Sequence, residues 1–291
     1  MRRSRGETLF SITNGLVLLG IGFLSLYPFL YTFSMSVSTA AEANSGGLHL
    51  WPRHLSLAAY RIVLSSPDIS TGLLNSVART VLATGLTLIA TCMAAYPLSR
   101  KELPHRGLFS FLIVFTMIFN GGIVPLYLLL KNLAMLDTIW SLVLPTALTA
   151  FNIILMKNFF QQIPESLAES ARIDGASEIG ILFRLYIPLS MPVLATVALW
   201  TAVAHWNAWF DAMLYITSDK HQVLQTFLQR IVVENSDKLL DAGITSADIT
   251  QFTPDTIKAA TVIVTVFPIM LVYPFLQRYF VKGITLGGVK E

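Results

Sequence analysis

Six long stretches of this chain contain no Asp, Glu, Lys or Arg: Thr8 to Ala41, Thr80 to Ser99, Gly107 to Leu130, Thr138 to Met156, Leu185 to Phe210 and Ala259 to Gln277. A helix needs about 20 apolar residues to cross a hydrocarbon layer about 30 Å thick, and every stretch is long enough to do so. Backbone groups in lipid must be satisfied within the segment, so these runs are expected to be helices; barrel strands would instead alternate in pieces of about ten residues. The expected fold is therefore all-α, a single transmembrane domain over 1–291 with six spans at about 9–36, 73–99, 107–130, 138–158, 189–215 and 257–281.

Composition agrees. The chain is 54% hydrophobic and 13% charged, with a mean hydropathy of +0.64, whereas soluble domains carry about 25% charged residues. The net charge of +3 is spread in ones and twos between apolar runs, which excludes a nucleic-acid-binding patch. Those charges read as topology markers. Twelve (Arg2, Arg3, Arg5, Arg100, Lys101, Arg106, Lys157, Arg172, Arg184, Arg278, Lys282 and Lys290) fall on one side, and seven (Arg53, Arg61, Lys131, Lys220, Arg230, Lys238 and Lys258) on the other. The more basic side is the cytoplasmic one, so both termini are expected there. A basic start and "STAAEA" resemble a signal peptide, but the apolar stretch between them exceeds a 7–15-residue h-region, so a retained first span is expected. The single cysteine, Cys92, leaves no internal disulfide framework or cysteine metal site and reads as a small core residue.

The connection at about 161–188, on the cytoplasmic side of this topology, is patterned like soluble protein. Pro164 suits a first helical turn, with Glu165 and Glu169 near the positive helix end. Leu167 and Ala171 share a face, and Glu169 and Arg172 can pair at i,i+3. Asp174-Gly175 signals a turn, with Asp174 able to cap the next helix. In that helix Ile179, Leu182, Phe183 and Tyr186 follow i, i+3, i+4, i+7 until Pro188 stops it. Patterning alone leaves two readings open: a hairpin folded back on the chain's own spans, or a docking surface for a separate protein. Outside, the connections at about 37–72 and 217–256 carry short amphipathic stretches, "LSLAAYRIVL" and "LQTFLQRIVV".

Glu169-Ser170-Ala171, then Gly175, then Leu185-Tyr186-Ile187-Pro188 resemble the EAA loop of permease subunits of ATP-binding-cassette importers, with Ser170 replacing the middle alanine. "NGGIVPLYLLLKNLAMLDT", "WNAWFDAMLYI" and "YPFLQRYFVKGITLGGVKE" extend the likeness over nearly the whole chain, toward maltose-type and complex-oligosaccharide permeases of bacteria. The resemblance implies a non-catalytic permease subunit of a multi-pass protein in the bacterial cytoplasmic (inner) membrane. It also implies its partners: a second homologous permease, two ATPase subunits that bind ATP and Mg, an extracytoplasmic solute-binding protein and an oligosaccharide. By that resemblance Glu169, Ser170, Ala171, Asp174, Gly175, Ala176, Ile179, Phe183 and Pro188 form the coupling loop. No cofactor or metal is expected on this chain, and it contains no G-x-x-x-x-G-K-[ST] phosphate loop.

Polar residues inside spans are candidates for the substrate pathway. Asn120 lies about 20 Å into the third span beside Gly121, Gly122 and Pro125, where a bend is expected; it can line a path or satisfy carbonyls freed at the bend. Span five brings His205, Trp206, Asn207, Trp209 and Asp211 toward the outer interface, as a sugar platform or as an aromatic belt. Asn152, and Asn75 with Arg79, are further candidates. His205 stands alone, without metal-ligand spacing, and reads as a packed polar group. The alternative function is an ion-coupled secondary sugar transporter, but the six uncharged runs lack the paired acids it needs. A membrane enzyme would need H-E-x-x-H or clustered acids, and neither occurs. The seven outer basic residues suit an acidic sugar or a docked binding protein, and the sequence does not choose between them.

Overall fold

The computed structural model describes residues 5–45, 47, 49–233 and 252–288. Arg2, Arg3, Lys238, Lys290 and much of the expected 217–256 connection lie outside them. The described residues are helical apart from turns and one isolated antiparallel bridge, Ser38 to Leu55. In order, the helices are α1 Arg5–Ser36, α2 Ala40–Ala43, α3 Ala58–Ser65, α4 Pro67–Ser99, α5 Arg106–Ile118, α6 Ile123–Asn132, α7 Ile139–Val143 and α8 Ala150–Phe160. There follow α9 Glu165–Ile173, α10 Glu178–Ile181, α11 Ile187–Leu189, α12 Met191–Asn207, α13 Phe210–Tyr215, α14 Leu224–Val233 and α15 Pro254–Gly288.

Among the described residues, three helical segments are long and apolar enough to cross a membrane unaided: Gly6–Ser36, Pro67–Ser99 and Pro254–Val272. Three more candidates are broken. α5 and α6 meet at 110°, α7 with its following turn and α8 at 49°, and α10–α11 and α12 at 84°. Counted as one span each, the bent pairs bring the total to six.

Each break has a local cause. Between α5 and α6, Gly122 adopts φ +91, a region that costs side-chain-bearing residues, and the side-chain oxygen of Asn120 accepts its N–H at 2.8 Å. After α7, Pro145 lies in a tight 3₁₀ turn, Leu144–Thr146, and cannot donate to a continuing helix. Between α11 and α12, Ser190 sits between Pro188 and Pro192, and one wide π-type turn, Leu182–Tyr186, precedes the bend. Wide turns of this type concentrate at functional positions.

The chain divides into two units, Met1–Ile69 with Leu228–Phe267, and Ser70–Phe227 with Pro268–Glu291. In the first, Ser36 and Tyr60 share a hydrogen bond at 2.8 Å, and the N–H of Ser56 donates to the carbonyl of Val37. α3 buries Ala59 and Val63, four residues apart on one face, as its amphipathic pattern requires. Glu42 closes a turn by accepting the backbone N–H of Arg53 at 2.6 Å and of His54 at 3.1 Å. The Arg53 N–H is the main reason its carboxyl lies below the usual carboxylate range.

Apolar clusters among the described residues order the second unit. One joins Cys92, Ala95, Tyr96 and Leu98 of α4 to Ile153, Met156 and Phe160 of α8, Ala168 of α9, Ile181, Leu182 and Tyr186, and Val193, Leu194 and Val197 of α12. Another joins Leu130 and Leu142 to Ala212, Tyr215, Ile216 and Val223. Asp137, at φ +59, orders the loop beside the latter by accepting N–H bonds from Thr217 and Ser218. α4 also touches the start of α14: Ser76 Oγ accepts the Leu224 N–H at 2.9 Å, and a Cβ added to Gly72 would stand 3.1 Å from the Leu224 nitrogen. Backbone cannot swing aside as a side chain can. Gly72→Ala is therefore expected to destabilise the purified chain by about 1–3 kcal/mol, despite alanine's better helix propensity, measured as a lower thermal-unfolding midpoint in detergent; an unchanged or raised midpoint would contradict this packing.

Candidate functional site

Arg79 lies within a long apolar helix and is 1% exposed. A buried guanidinium must have its donors matched. Its Nε donates to His205 Nδ1 at 3.4 Å, one Nη donates to the Ala208 carbonyl at 3.0 Å, and the other pairs with the Asp211 carboxylate. Ala208 is the residue at which α12 ends and the backbone opens (φ −76, ψ 126). The arginine thus satisfies a carbonyl freed by the break and neutralises the carboxylate just beyond it. Because His205 Nδ1 accepts from Arg79, its proton is assigned to Nε2, which faces Thr146 Oγ1 at 3.3 Å.

A cavity of about 390 Å³ opens beside this cluster, a size within the usual 300–1,000 Å³ of small-molecule sites. Asn152 (7% exposed), Thr149 and Thr201 bring amide and hydroxyl groups to it. Phe151 and Trp200 form one wall, their ring centroids 5.7 Å apart. Its charged lining residues, Arg79 and Asp211, are paired with each other. The site therefore offers hydrogen-bonding groups and flat apolar faces with a balanced charge.

Of the residues singled out in the sequence, Asn152, His205, Asp211 and Arg79 converge here. Trp206 does not: it is buried and lines an apolar pocket with Val77, Leu199 and Pro268. Asn207 is exposed, and Trp209 packs edge-on against Phe210 at 5.8 Å. Asn120 sits at the α5–α6 break, its side-chain Oδ1 accepting the Gly122 N–H. Asn75 holds the turn before α14 by donating to the carbonyls of Lys220 and Gln222 at 2.8 and 2.9 Å. Thr146, Thr149, Phe151, Trp200 and Thr201 line the cavity and were not singled out. Trp200, Thr201, Ala204, His205 and Ala208 fall at i, i+1, i+4, i+5 and i+8, one helical face, and that stripe was the available signal.

The second feature is the 161–188 loop. α9 ends in a Schellman motif: the Ala176 N–H donates to the Ala171 carbonyl, the Gly175 N–H to that of Arg172, and Gly175 takes φ +82. Three details differ from the sequence expectation. Ser177, not Asp174, caps α10, accepting the Gly180 N–H, because Asp174 is used to terminate α9. Arg172 pairs with Glu178 at 2.7 Å rather than with Glu169, since the turn brings α10 beside the end of α9. The apolar stripe is split: Leu182 and Tyr186 are buried, while Ile179 is 72% and Phe183 47% exposed. Of α9, Ala168 is the fully buried residue, and Leu167 remains exposed.

The loop therefore folds back on the spans with one side and leaves another side open. Glu169, Ser170, Asp174, Gly175, Ala176, Ile179 and Pro188 are exposed, and Ala171 is half-buried. Ile173, 86% exposed at the tip beside them, was missed because it sits next to the turn and outside any stripe.

The model of the family described as "Binding-protein-dependent transport system inner membrane component" matches residues 85–286. The chain belongs to this family. It is a membrane component of a transport system, and the match covers the loop and the cavity lining other than Arg79. The chain is 41% identical to Protein LplC of Bacillus subtilis (strain 168) over 293 residues, covering 100% of this chain and 98% of that protein. It is 42% identical to the polygalacturonan/rhamnogalacturonan transport system permease protein YtcP of the same organism, over 94% of this chain and 95% of that one. A crystal structure of a bacterial ABC transporter involved in the import of the acidic polysaccharide alginate contains a chain with TM-score 0.88 and 34% identity, matched over 96% of this chain and 99% of that one.

Breaking a buried ion pair from one side costs about 3–5 kcal/mol, because the remaining charge is left unpaired. Asp211→Ala is accordingly expected to lower the unfolding midpoint of the permease strongly, and Arg79→Met combined with Asp211→Ala to recover much of that loss. Equal midpoints for Asp211→Ala and the unaltered chain would show that Arg79 does not depend on this carboxylate.

Proposed function

We propose that this chain is the permease subunit of a carbohydrate importer in the bacterial cytoplasmic membrane, with six spans and both termini cytoplasmic. The transported sugar is an oligosaccharide delivered by an extracytoplasmic binding protein. The energy comes from two ATPase subunits that carry ATP and Mg, and a second homologous permease completes the pathway. The observation that carries this reading is the cavity at Arg79, His205 and Asp211, which combines an aromatic wall with amide and hydroxyl groups. Pyranose rings present apolar C–H faces to aromatic rings and hydroxyls to amides, which is the complement of Trp200, Phe151 and Asn152. Family membership supports the dependence on a binding protein. One relative, named for polygalacturonan/rhamnogalacturonan transport, and the solved structure, a transporter involved in alginate import, support the substrate class.

The loop supports the ATPase contact. Its exposed side presents Ile173 and Ile179 among polar residues, the kind of small apolar patch that a groove on a partner covers. The remaining assignments, Asn120, Trp206, Asn207 and Trp209, belong to the same pathway in a supporting capacity, through the bend, the α12 packing and the outer end of α12.

The test is ligand-specific stimulation. In the complete complex reconstituted in liposomes, one class of binding-protein ligand raises ATP hydrolysis and is accumulated. Asn152→Ala and Trp200→Ala are each expected to reduce uptake about tenfold, in line with the loss of one good polar or stacking contact, while the ATPase subunits still co-purify. Uptake unaffected by both substitutions would move the substrate path away from this cavity.

A further inference from the structure

Where α4 ends, four polar side chains form a continuous connection into the loop. Arg100, 9% exposed, donates to the Tyr96 hydroxyl at 2.9 Å, and that hydroxyl donates to Glu178 Oε2 at 2.5 Å. The other carboxylate oxygen of Glu178 accepts from Arg172 Nε at 2.7 Å. The Arg100 guanidinium also lies over two rings, 4.9 Å from the centroids of both Tyr96 and Tyr186. Tyr186 belongs to the wide turn, and Tyr96, Tyr186 and Phe160 pack edge-to-face with centroids 5.1 to 6.5 Å apart. The connection thus runs from α4 to α10, to α9 and to the turn that leads into α12.

Chain connectivity explains why such a tie matters. From the exposed tip at Ile173 and Gly175, the covalent route to the spans passes through α10, the wide turn and an 84° bend before reaching α12. A bent route of this kind can pivot. The apolar cluster around Cys92, Ala95 and Leu182 presses the loop against α4, but apolar contacts are non-directional and tolerate sliding. Hydrogen bonds to a carboxylate, and a guanidinium held between two rings, fix direction and register.

We propose that Arg100, Tyr96 and Glu178 are positioning residues that make the loop and α4 move as one body, so that displacement of the loop by the ATPase reaches α4 as well as α12. This rests on the loop being the ATPase-docking element, and it assigns a transmission role to two buried residues, Tyr96 and Arg100, and to Glu178, which joins them to the exposed side. None of the three carries the EAA-type spacing. Tyr96→Phe removes only the hydroxyl that joins Arg100 to Glu178 and keeps the ring in its cluster. Glu178→Gln removes the charge that holds Arg172 and keeps the shape.

The experiment uses the complete reconstituted complex and measures ATP hydrolysis and sugar accumulation together. In each variant the ATPase subunits still co-purify and ATP hydrolysis continues, while sugar transported per ATP hydrolysed falls by roughly five- to tenfold, at the lower end of ordinary coupling between sites. The double variant is no worse than the worse single variant, because both interrupt one connection. A merely structural role would lower complex yield or the unfolding midpoint and leave the transport-to-hydrolysis ratio unchanged. That unchanged ratio in Tyr96→Phe, with the ATPase bound, overturns the proposal. A separate control isolates the underlying reading: cross-linking from Ile173→Cys in the otherwise unaltered chain captures the ATPase. If capture fails there while the assembled complex transports sugar, the docking assignment itself is wrong and the transmission role is withdrawn with it.

Discussion

Every backbone N–H and C=O placed in a low-dielectric layer must find a partner within the protein, and the architecture of this chain follows from how it meets that requirement where helices stop. Unbroken helices meet it internally, as α1 and α4 do along most of their length. The broken ones need substitutes. At the α5–α6 break, the substitute is the Asn120 side chain on Gly122. At the end of α12 it is Arg79 on the Ala208 carbonyl. At the end of α9, where the loop meets water, it is the Schellman pair at Gly175 and Ala176. Polar side chains thus serve two of these breaks, and a break with satisfied polar groups around it is a place where an apolar bundle can present hydroxyl-binding chemistry.

Arg79 also shows which energy term governs the cavity. Desolvating a guanidinium costs several kcal/mol even after relaxation, about the magnitude that its attraction to a nearby carboxylate can return. The pair with Asp211 is therefore not a large net source of stability. Its effect is specificity: only an arrangement with α4, α12 and α13 in this relation matches both charges and the open carbonyl. Because the charges cancel within the cavity's own wall, recognition is left to the amide of Asn152, the threonine hydroxyls and the two aromatic faces.

Much of this was legible in the sequence, and the part that was not has identifiable causes. The uncharged runs and the positions of glycine and proline announced the helices and the bend after Asn120, because lipid leaves the backbone few alternatives. The spacing from Glu169 through Gly175 to Pro188 placed the loop and the chain's family. Lining of the cavity was only half visible. Asn152, His205 and Asp211 stood out as polar residues in apolar surroundings, whereas Trp200 and Phe151 look like any lipid-facing aromatic until the helices are placed. Trp206, chosen for its ring, turned into an apolar pocket because one residue along a helix rotates a side chain by about 100°. The Tyr96 connection to Glu178 was out of reach, since the two lie 82 positions apart and neither carries a motif.

In the proposed complex, the exposed side of the 161–188 loop faces the cytoplasm and is covered by the ATPase. One thiol tests this arrangement. The sole cysteine, Cys92, is 2% exposed, so Ile173→Cys gives a single reactive position at the loop tip. A membrane-impermeant maleimide is expected to label this position only from the cytoplasmic side of oriented membranes, and labelling is expected to be suppressed when the ATPase subunits are bound. Labelling from the outer side, or equal labelling with and without the ATPase, would contradict that arrangement.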